Sequence, residues 1–81
     1  MVDVIYTDKF EDEFKKADKS IKIKAEKQIK KIIESPNVGK PLRYDLKGER
    51  TVYVKPCRII YSYKDNTIYF LRFEHRKGVY D

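Results

Sequence analysis

A chain of 81 residues that carries 19 lysines and arginines against 13 acids has room for one small domain with a thin core. A domain of this size hides only roughly 60% of the surface that its unfolded chain exposes, which excludes a deep, enclosed active site. The formal net charge of +6 favours polyanionic partners such as nucleic acid or a ribosomal surface over neutral metabolites. We therefore expect a single basic domain over residues 1–81.

The single cysteine, the single histidine and the hydropathy of the chain exclude several further classes of protein. Cys57 is the only cysteine and His75 the only histidine, so neither an intrachain disulfide nor a tetrahedral cysteine–histidine metal site can form. No apolar run approaches the length that crosses a bilayer, and charged residues interrupt positions 1–10, which argues against a signal peptide. We expect a cytoplasmic protein with no metal, no other cofactor and no membrane partner.

The N-terminal half predicts a strand followed by two helices. Alternation over positions 2–7 is typical of a strand, and Asp8 with Glu11 has the spacing of a helix capping box. A second helix begins at Asp18 or Ser20. Apolar residues recur at helical spacing and define one stripe on each helix: Phe10, Phe14 and Ala17, then Ile21, Ala25, Ile29, Ile32 and Ile33. Such a hairpin of helices needs a sheet to cover its apolar face.

Pro36 ends the second helix, and after a loop containing glycine and proline three strand-like runs follow: 49–55, 58–64 and 67–73. Asp65 and Asn66 tolerate positive φ and predict a two-residue hairpin turn between the last two runs. The predicted fold class is α+β, with an N-terminal strand, a two-helix hairpin and then an antiparallel β-meander packed on the helices.

The predicted turn fixes which residues of the last two strands face each other. Counting outward from it gives the pairs Tyr63/Ile68, Tyr61/Phe70, Ile60/Leu71, Ile59/Arg72 and Arg58/Phe73. This register brings Arg58 beside the end of the last strand, where Glu74, His75 and Arg76 leave the sheet. Residues that are distant in sequence are therefore expected to converge on one rim.

All the arginines but one and the only histidine lie between residues 50 and 80, and the candidate cationic side chains there are Arg50, Lys55, Arg58, Arg72, His75, Arg76 and Lys77. Guanidinium groups stay charged at any accessible pH, and an imidazole exchanges protons near neutrality. The combination suits a phosphodiester, because the 2′-hydroxyl of RNA can attack the adjacent phosphate when other groups move protons and stabilise negative charge. The cluster points to RNA.

Three stretches resemble the RelE/ParE superfamily of toxins from toxin–antitoxin pairs: the strand with its helix hairpin, the Arg-Ile-Ile-Tyr strand at 58–61, and the His-Arg-x-x-x-Tyr ending at 75–80. The pattern is more similar to the RelE branch than to the gyrase-inhibiting ParE branch. The resemblance implies a small sheet on two helices and cleavage of mRNA in the ribosomal decoding site. It also implies inhibition by a cognate RelB-like antitoxin whose extended segment wraps the toxin.

The resemblance assigns roles by position. Arg58 matches the arginine of the family's central strand, Arg76 the arginine after the last strand, and Tyr80 the tyrosine that stacks on a substrate base. The family often has two basic residues on the preceding strand, where this chain has Thr51 and Tyr53, so the general base stays unassigned. The predicted catalytic residues are Arg58, His75, Arg76 and Tyr80, and the predicted RNA-binding residues are Arg50, Lys55, Arg72 and Lys77.

Three of these residues also have an ordinary structural interpretation. Arg58 is compatible with a surface ion pair to Asp45 or Glu74, His75 with a solvated position, and Tyr80 with an anchor for the chain end. The predicted function is a toxin that acts as a ribosome-dependent, metal-independent mRNA endoribonuclease. The alternatives are a ParE-like inhibitor of DNA gyrase without enzymatic activity, and a basic RNA-binding module without cleavage.

Overall fold

The computed structural model describes residues 2–41 and 48–75, which form two helices and five strands. In chain order these are β1 (Asp3–Tyr6), α1 (Asp8–Lys15), α2 (Lys19–Glu34), β2 (Lys40–Pro41), β3 (Glu49–Val54), β4 (Cys57–Lys64) and β5 (Thr67–His75). The predicted α+β class and its order of elements are confirmed. Neither helix in the described segments has the length and apolar character needed to cross a bilayer.

The five strands form one mixed sheet in the order β1-β5-β4-β3-β2. Strands β3, β4 and β5 form the predicted antiparallel meander. The first strand lies parallel to β5 at the edge of the sheet, which makes the sheet mixed rather than wholly antiparallel. The short strand β2 pairs with β3 in a stretch that was expected to be a loop.

Thr7, rather than the predicted Asp8, caps α1. Its hydroxyl accepts a hydrogen bond from the Phe10 amide at 3.2 Å and donates one to the Phe70 carbonyl at 2.8 Å. The capping prediction was wrong because the helix already includes Asp8 as its first residue. Asp8 remains in the first turn, where its negative charge interacts favourably with the helix dipole.

The second helix follows its predicted boundaries. Asp18 is the N-cap residue, and the helix ends at Glu34, shortly before Pro36. Proline lacks an amide hydrogen and its ring clashes with the preceding turn, so the helix cannot continue through that position.

Both helices pack on one face of the sheet, α1 against β5 and α2 against β3. The core between them consists of residues that are at most 9% exposed: Phe10, Ile21, Ala25, Ile32, Val54, Cys57, Ile59, Tyr61, Ile68, Phe70 and Phe73. The remaining members of the predicted helix stripes pack against this core: Phe14, Ala17, Ile29 and Ile33. The apolar spacing of the sequence therefore identified the buried face of both helices.

The predicted hairpin turn between β4 and β5 is confirmed. Asp65 and Asn66 have φ angles of 53° and 61°, the left-handed conformation that a type I′ turn requires at both central positions. The turn sets Tyr63 opposite Ile68 and Tyr61 opposite Phe70, as counting from it predicted.

Beyond Tyr61 the predicted register is wrong, because β5 contains a β-bulge. The register shifts between Ile60 and Tyr61, so Ile60 faces Arg72 and Ile59 faces Phe73. Without the extra residue, Arg72 would face Ile59 on the buried side of the sheet and Phe73 would face outward. The bulge thus avoids burying a guanidinium and gives the core an aromatic ring.

Thr7 stabilises the bulged backbone. Its hydroxyl lies 2.8 Å from the Phe70 carbonyl oxygen and 3.3 Å from that of Leu71, and its amide donates to the Phe70 carbonyl at 3.1 Å. The end of β1 and the start of α1 are therefore tied to the point where β5 changes register.

Candidate nucleic-acid interface

The bulge places Arg58 opposite Glu74 on the face of the sheet away from the helices. We call this the outer face and define it by the residues that share the alternation of Arg58: Thr51, Tyr53, Ile60, Arg72 and Glu74. Tyr53, Arg58 and Glu74 form one row across β3, β4 and β5. A phenol, a guanidinium and a carboxylate are thus neighbours across three strands.

Glu74 fixes the guanidinium of Arg58. Arg58 Nε donates to Glu74 Oε1 at 2.8 Å, and Arg58 Nη2 lies 2.8 Å from the same oxygen. The two side chains are 31% and 26% exposed, so the pair is accessible yet partly shielded from water. This is the ion pair that the structural interpretation of Arg58 anticipated. It leaves Nη1 and one hydrogen of Nη2 as donors that Glu74 does not engage.

Arg72 connects the outer face to α1. Its Nε and Nη2 donate to the two carboxylate oxygens of Glu13 at 3.0 and 2.7 Å, and its Nη1 lies 3.4 Å from Glu74 Oε2. Glu13 also accepts the Phe73 amide at 2.9 Å, at the edge of β5 that β1 does not cover. Glu13, Arg72, Glu74 and Arg58 therefore form a continuous network of alternating charge.

The network shifts the ionisation of its members. The hydrogen bond from Arg72 outweighs partial burial and lowers the pKa of Glu13, with further contributions from the Phe73 amide and the Arg72 charge. The hydrogen bond to Glu13 raises the pKa of Arg72 in turn. Arg72 was predicted to bind RNA, and the structure shows its guanidinium engaged with two carboxylates.

Arg50 lies on the helix-covered face, away from Arg58. Its Nη1 donates to the carbonyl oxygens of Asn37 and Gly39 at 3.2 and 2.8 Å. Its partner on β4 is Tyr61, a core residue. Arg50 thus holds the loop after α2 in the structure and does not join Arg58 on the outer face.

His75 reaches the same end of the sheet as Arg58 but leaves the opposite face. It pairs with Cys57 and, with Glu13, Lys16 and other residues, lines an open cavity of about 280 Å³ on the helix side. Arg58, Glu74 and His75 therefore reach the same end of the sheet, as predicted. Arg58 and His75 leave opposite faces of the sheet and do not share a groove. The pKa of Cys57 is raised, first by burial and then by the charge of Asp18, which keeps its thiol protonated.

Of the other predicted site residues, Lys55 alone lies in the part of the chain that the structure describes. Lys55 is exposed at the tip of the β3–β4 connection, at the same end of the sheet as Arg58. Arg76, Lys77 and Tyr80 lie outside the described residues, and so does Asp45, the other acid considered for Arg58.

Sequence reasoning missed Glu13, and it named Thr51 and Tyr53 on β3 without assigning a role to either. Glu13 follows Phe10 by three positions and precedes Ala17 by four, which places it on the border of the apolar stripe, a signal that could have identified it. Thr51 is 5% exposed and its hydroxyl is buried with no hydrogen-bond partner among the described residues. Its threonine side chain gave no sequence signal for such an environment.

Residues 4–80 match the family described as ParE toxin of type II toxin–antitoxin systems, parDE. The chain belongs to the ParE toxin family. The predicted membership of the RelE/ParE superfamily is thereby confirmed, and the protein is a toxin of a type II toxin–antitoxin system. No curated protein sequence gives a significant match.

Solved structures share the fold of this ParE-family toxin at low sequence identity. The isolated E. coli RelE toxin aligns with a TM-score of 0.83 and 16% identity, over 99% of this chain and 92% of RelE. The toxin–antitoxin complex RelBE2 from Mycobacterium tuberculosis aligns with a TM-score of 0.78 and 26% identity, over 93% and 98% of the two chains. E. coli YafQ aligns with a TM-score of 0.71 and 22% identity over the full length of both chains.

Proposed function

We propose that this toxin is a ribosome-dependent endoribonuclease that cleaves mRNA and thereby inhibits translation. The observation that carries the proposal is the guanidinium of Arg58, held by Glu74 on the outer face of the sheet and paired across the strand with Tyr53. A fixed guanidinium can bind two phosphate oxygens and stabilise the charge that builds on phosphorus during cleavage. The similarity between the fold of this chain and that of RelE supports the proposed class of reaction.

The proposed reaction requires no metal. The 2′-hydroxyl of one nucleotide attacks the adjacent phosphorus, which yields a 2′,3′-cyclic phosphate and a fragment with a free 5′-hydroxyl. Arg58 stabilises the five-coordinate phosphorus. The sequence resemblance adds Arg76 for the same purpose, Tyr80 for stacking on a base, and His75 for proton transfer, and these three roles remain predictions.

We further propose that a RelB-like antitoxin holds the toxin inactive. Relatives with the same fold have been crystallised as toxin–antitoxin complexes, among them E. coli RelBE. Messenger RNA and the ribosomal decoding site are the proposed target. The basic residues that follow Arg50 in the chain, together with the net charge of +6, favour association with RNA.

The test uses the toxin purified free of its antitoxin. It is added to translating ribosomes and separately to naked mRNA, and the ends of the fragments are mapped chemically. Fragments that end in 2′,3′-cyclic phosphate, formed only with ribosomes, are the expected result. Intact mRNA under both conditions would overturn the proposal.

Inhibition of DNA gyrase is the second candidate, because the family that matches residues 4–80 is named for ParE. The engagement of Arg58 by Glu74 also fits a protein-binding surface, since it neutralises part of the positive charge. A supercoiling assay with purified gyrase distinguishes the two. Inhibited supercoiling alongside intact mRNA would establish the second function, and salt-sensitive RNA binding with neither effect would indicate a binding module.

A further inference from the structure

Tyr53 is a large aromatic residue near the end of β3, beyond the part of β3 that pairs with β2. It is 46% exposed, although its neighbours on β3 include the buried Thr51 and Val54. It lies directly opposite Arg58 in the register of β3 and β4, so both side chains leave the outer face at the same level. The phenol therefore projects beside a guanidinium that Glu74 already holds in place.

Thr51 extends this polar row along β3. It is on the same face as Tyr53, two residues away, and its hydroxyl is enclosed with no hydrogen-bond partner among residues 2–41 and 48–75. Thr51 faces Ile60 on β4, next to the Tyr53–Arg58 pair on the outer face. Because the Thr51 hydroxyl is enclosed, the accessible side chains here are those of Tyr53 and Arg58, which offer one hydroxyl group and one positive charge to a single phosphodiester.

We propose that Tyr53 is the catalytic proton donor of the RNA cleavage described above, an inference that rests on that proposed function. As the 2′-oxygen forms its bond to phosphorus, its proton passes to water. The bond between phosphorus and the 5′-oxygen breaks, and its electron pair stays on that oxygen. The 5′-oxygen takes the proton of the Tyr53 phenol, and the phenolate then regains a proton from water.

Geometry favours Tyr53 over His75 for this step. Tyr53 shares a face and a cross-strand pair with Arg58, whereas His75 lines the cavity on the helix side with Glu13 and Lys16. The hydroxyl group of a phenol can donate the proton that a departing alkoxide needs. A phosphate bound by Arg58 would share the outer face with Tyr53 and would lie on the other side of the sheet from His75.

The experiment compares two substrates under single-turnover conditions on ribosomes. One mRNA has an ordinary linkage at the cleaved position, and the other has sulfur in place of the bridging 5′-oxygen. A thiolate leaves without being protonated, so only the ordinary linkage requires a proton donor. Tyr53→Phe keeps the ring and removes the hydroxyl, and Tyr69→Phe removes a hydroxyl from a different strand as the matched control.

We expect Tyr53→Phe to slow cleavage of the ordinary linkage by about 10²–10⁴-fold and to cleave the sulfur-containing linkage at a rate near that of the wild type. Arg58→Ala should be slow on both substrates, and Tyr69→Phe should match the wild type on both. Equal rates for Tyr53→Phe and wild type on the ordinary linkage, or an equal loss on both linkages, would overturn the assignment. A wild-type toxin that cleaves neither linkage would instead overturn the proposed function itself.

Discussion

Both Nε and Nη2 of Arg58 lie 2.8 Å from a single carboxylate oxygen of Glu74. A carboxylate in this position restricts the orientation of the guanidinium and also reduces the positive charge that a phosphate would meet. The two effects act in opposite directions on an RNA-cleaving site, since the first favours the transition state and the second weakens binding. Substitutions at the two residues separate these effects.

Arg58→Ala is expected to lower the rate of mRNA cleavage by about 10²–10³-fold, the usual effect of removing one group that stabilises a charged transition state. Because Arg58 is 31% exposed and outside the core, the free energy of unfolding should change by about 1 kcal/mol or less. Cleavage assays and urea denaturation measure the two quantities. Lys64→Ala, which removes a positive charge at the other end of β4, is the control and should leave cleavage unchanged.

Glu74→Gln is expected to separate binding from catalysis. The amide retains an acceptor for Arg58 but removes a negative charge, so RNA should bind more tightly and KM should fall. The less restricted guanidinium should lower kcat, by about tenfold. Steady-state cleavage on programmed ribosomes measures both constants. If kcat and KM both stayed at their wild-type values, Glu74 would have no part in positioning Arg58.

Tyr61→Phe is expected to destabilise the fold by about 1–3 kcal/mol, the cost of leaving buried polar groups unpaired. The Tyr61 hydroxyl donates to the Pro36 carbonyl at 2.7 Å and accepts the Gly39 amide at 3.0 Å, and burial raises the pKa of this residue. Urea denaturation measures the change. Tyr69→Phe serves as the comparison and should alter stability by about 0.5 kcal/mol or less.

Gly39→Ala is expected to disrupt the same contact. A Cβ atom at this position would lie 2.7 Å from the Tyr61 hydroxyl oxygen and 2.9 Å from its ring, too close for either to stay in place. Both substitutions remove the same interaction, the hydrogen bond from the Gly39 amide to the Tyr61 hydroxyl. Their effects on the free energy of unfolding should therefore not add in the Gly39→Ala/Tyr61→Phe double variant. Additive effects would show that the two residues stabilise the fold independently.

Glu13 makes stability depend on pH. Its pKa is lowered in the folded state, chiefly by the hydrogen bond from Arg72, so the unfolded chain binds more protons than the folded chain in acid. The stabilisation is complete above the usual pKa of a glutamate, about 4.3, and is lost as the pH falls through the lowered value. Glu13→Gln should therefore lower Tm near neutral pH and approach the wild-type Tm in acid. A Tm difference that stayed constant between about pH 7 and pH 3 would contradict this assignment.

Much of the fold follows from local spacing in the sequence. The stripes that include Phe10 and Ile32 identified the buried helix faces, and the Asp65-Asn66 turn fixed the first part of the β4–β5 register. Those features depend on neighbours in the chain. The parallel pairing of β1 with β5 depends on contacts between the N-terminal and C-terminal parts of the chain. The periodicity of apolar residues does not encode such contacts.

The bulge in β5 limited the prediction of the site. Ile68 and Phe70 alternate as core residues, but the next core residue is Phe73, and this change of parity is the sequence signal of an inserted residue. Counting through it without that correction set Phe73 opposite Arg58. The Arg58–Glu74 pair and the separation of His75 from Arg58 both follow from the single shifted position.

The hydrogen bond from the Phe73 amide to Glu13 has a consequence for self-association. Beyond Phe70, no strand among residues 2–41 and 48–75 pairs with the edge of β5 along which β1 ends at Tyr6. An exposed strand edge of this kind recruits extended segments from other molecules and promotes aggregation. By occupying a backbone donor there with a charged side chain, α1 makes that edge a poor template for another copy of the chain.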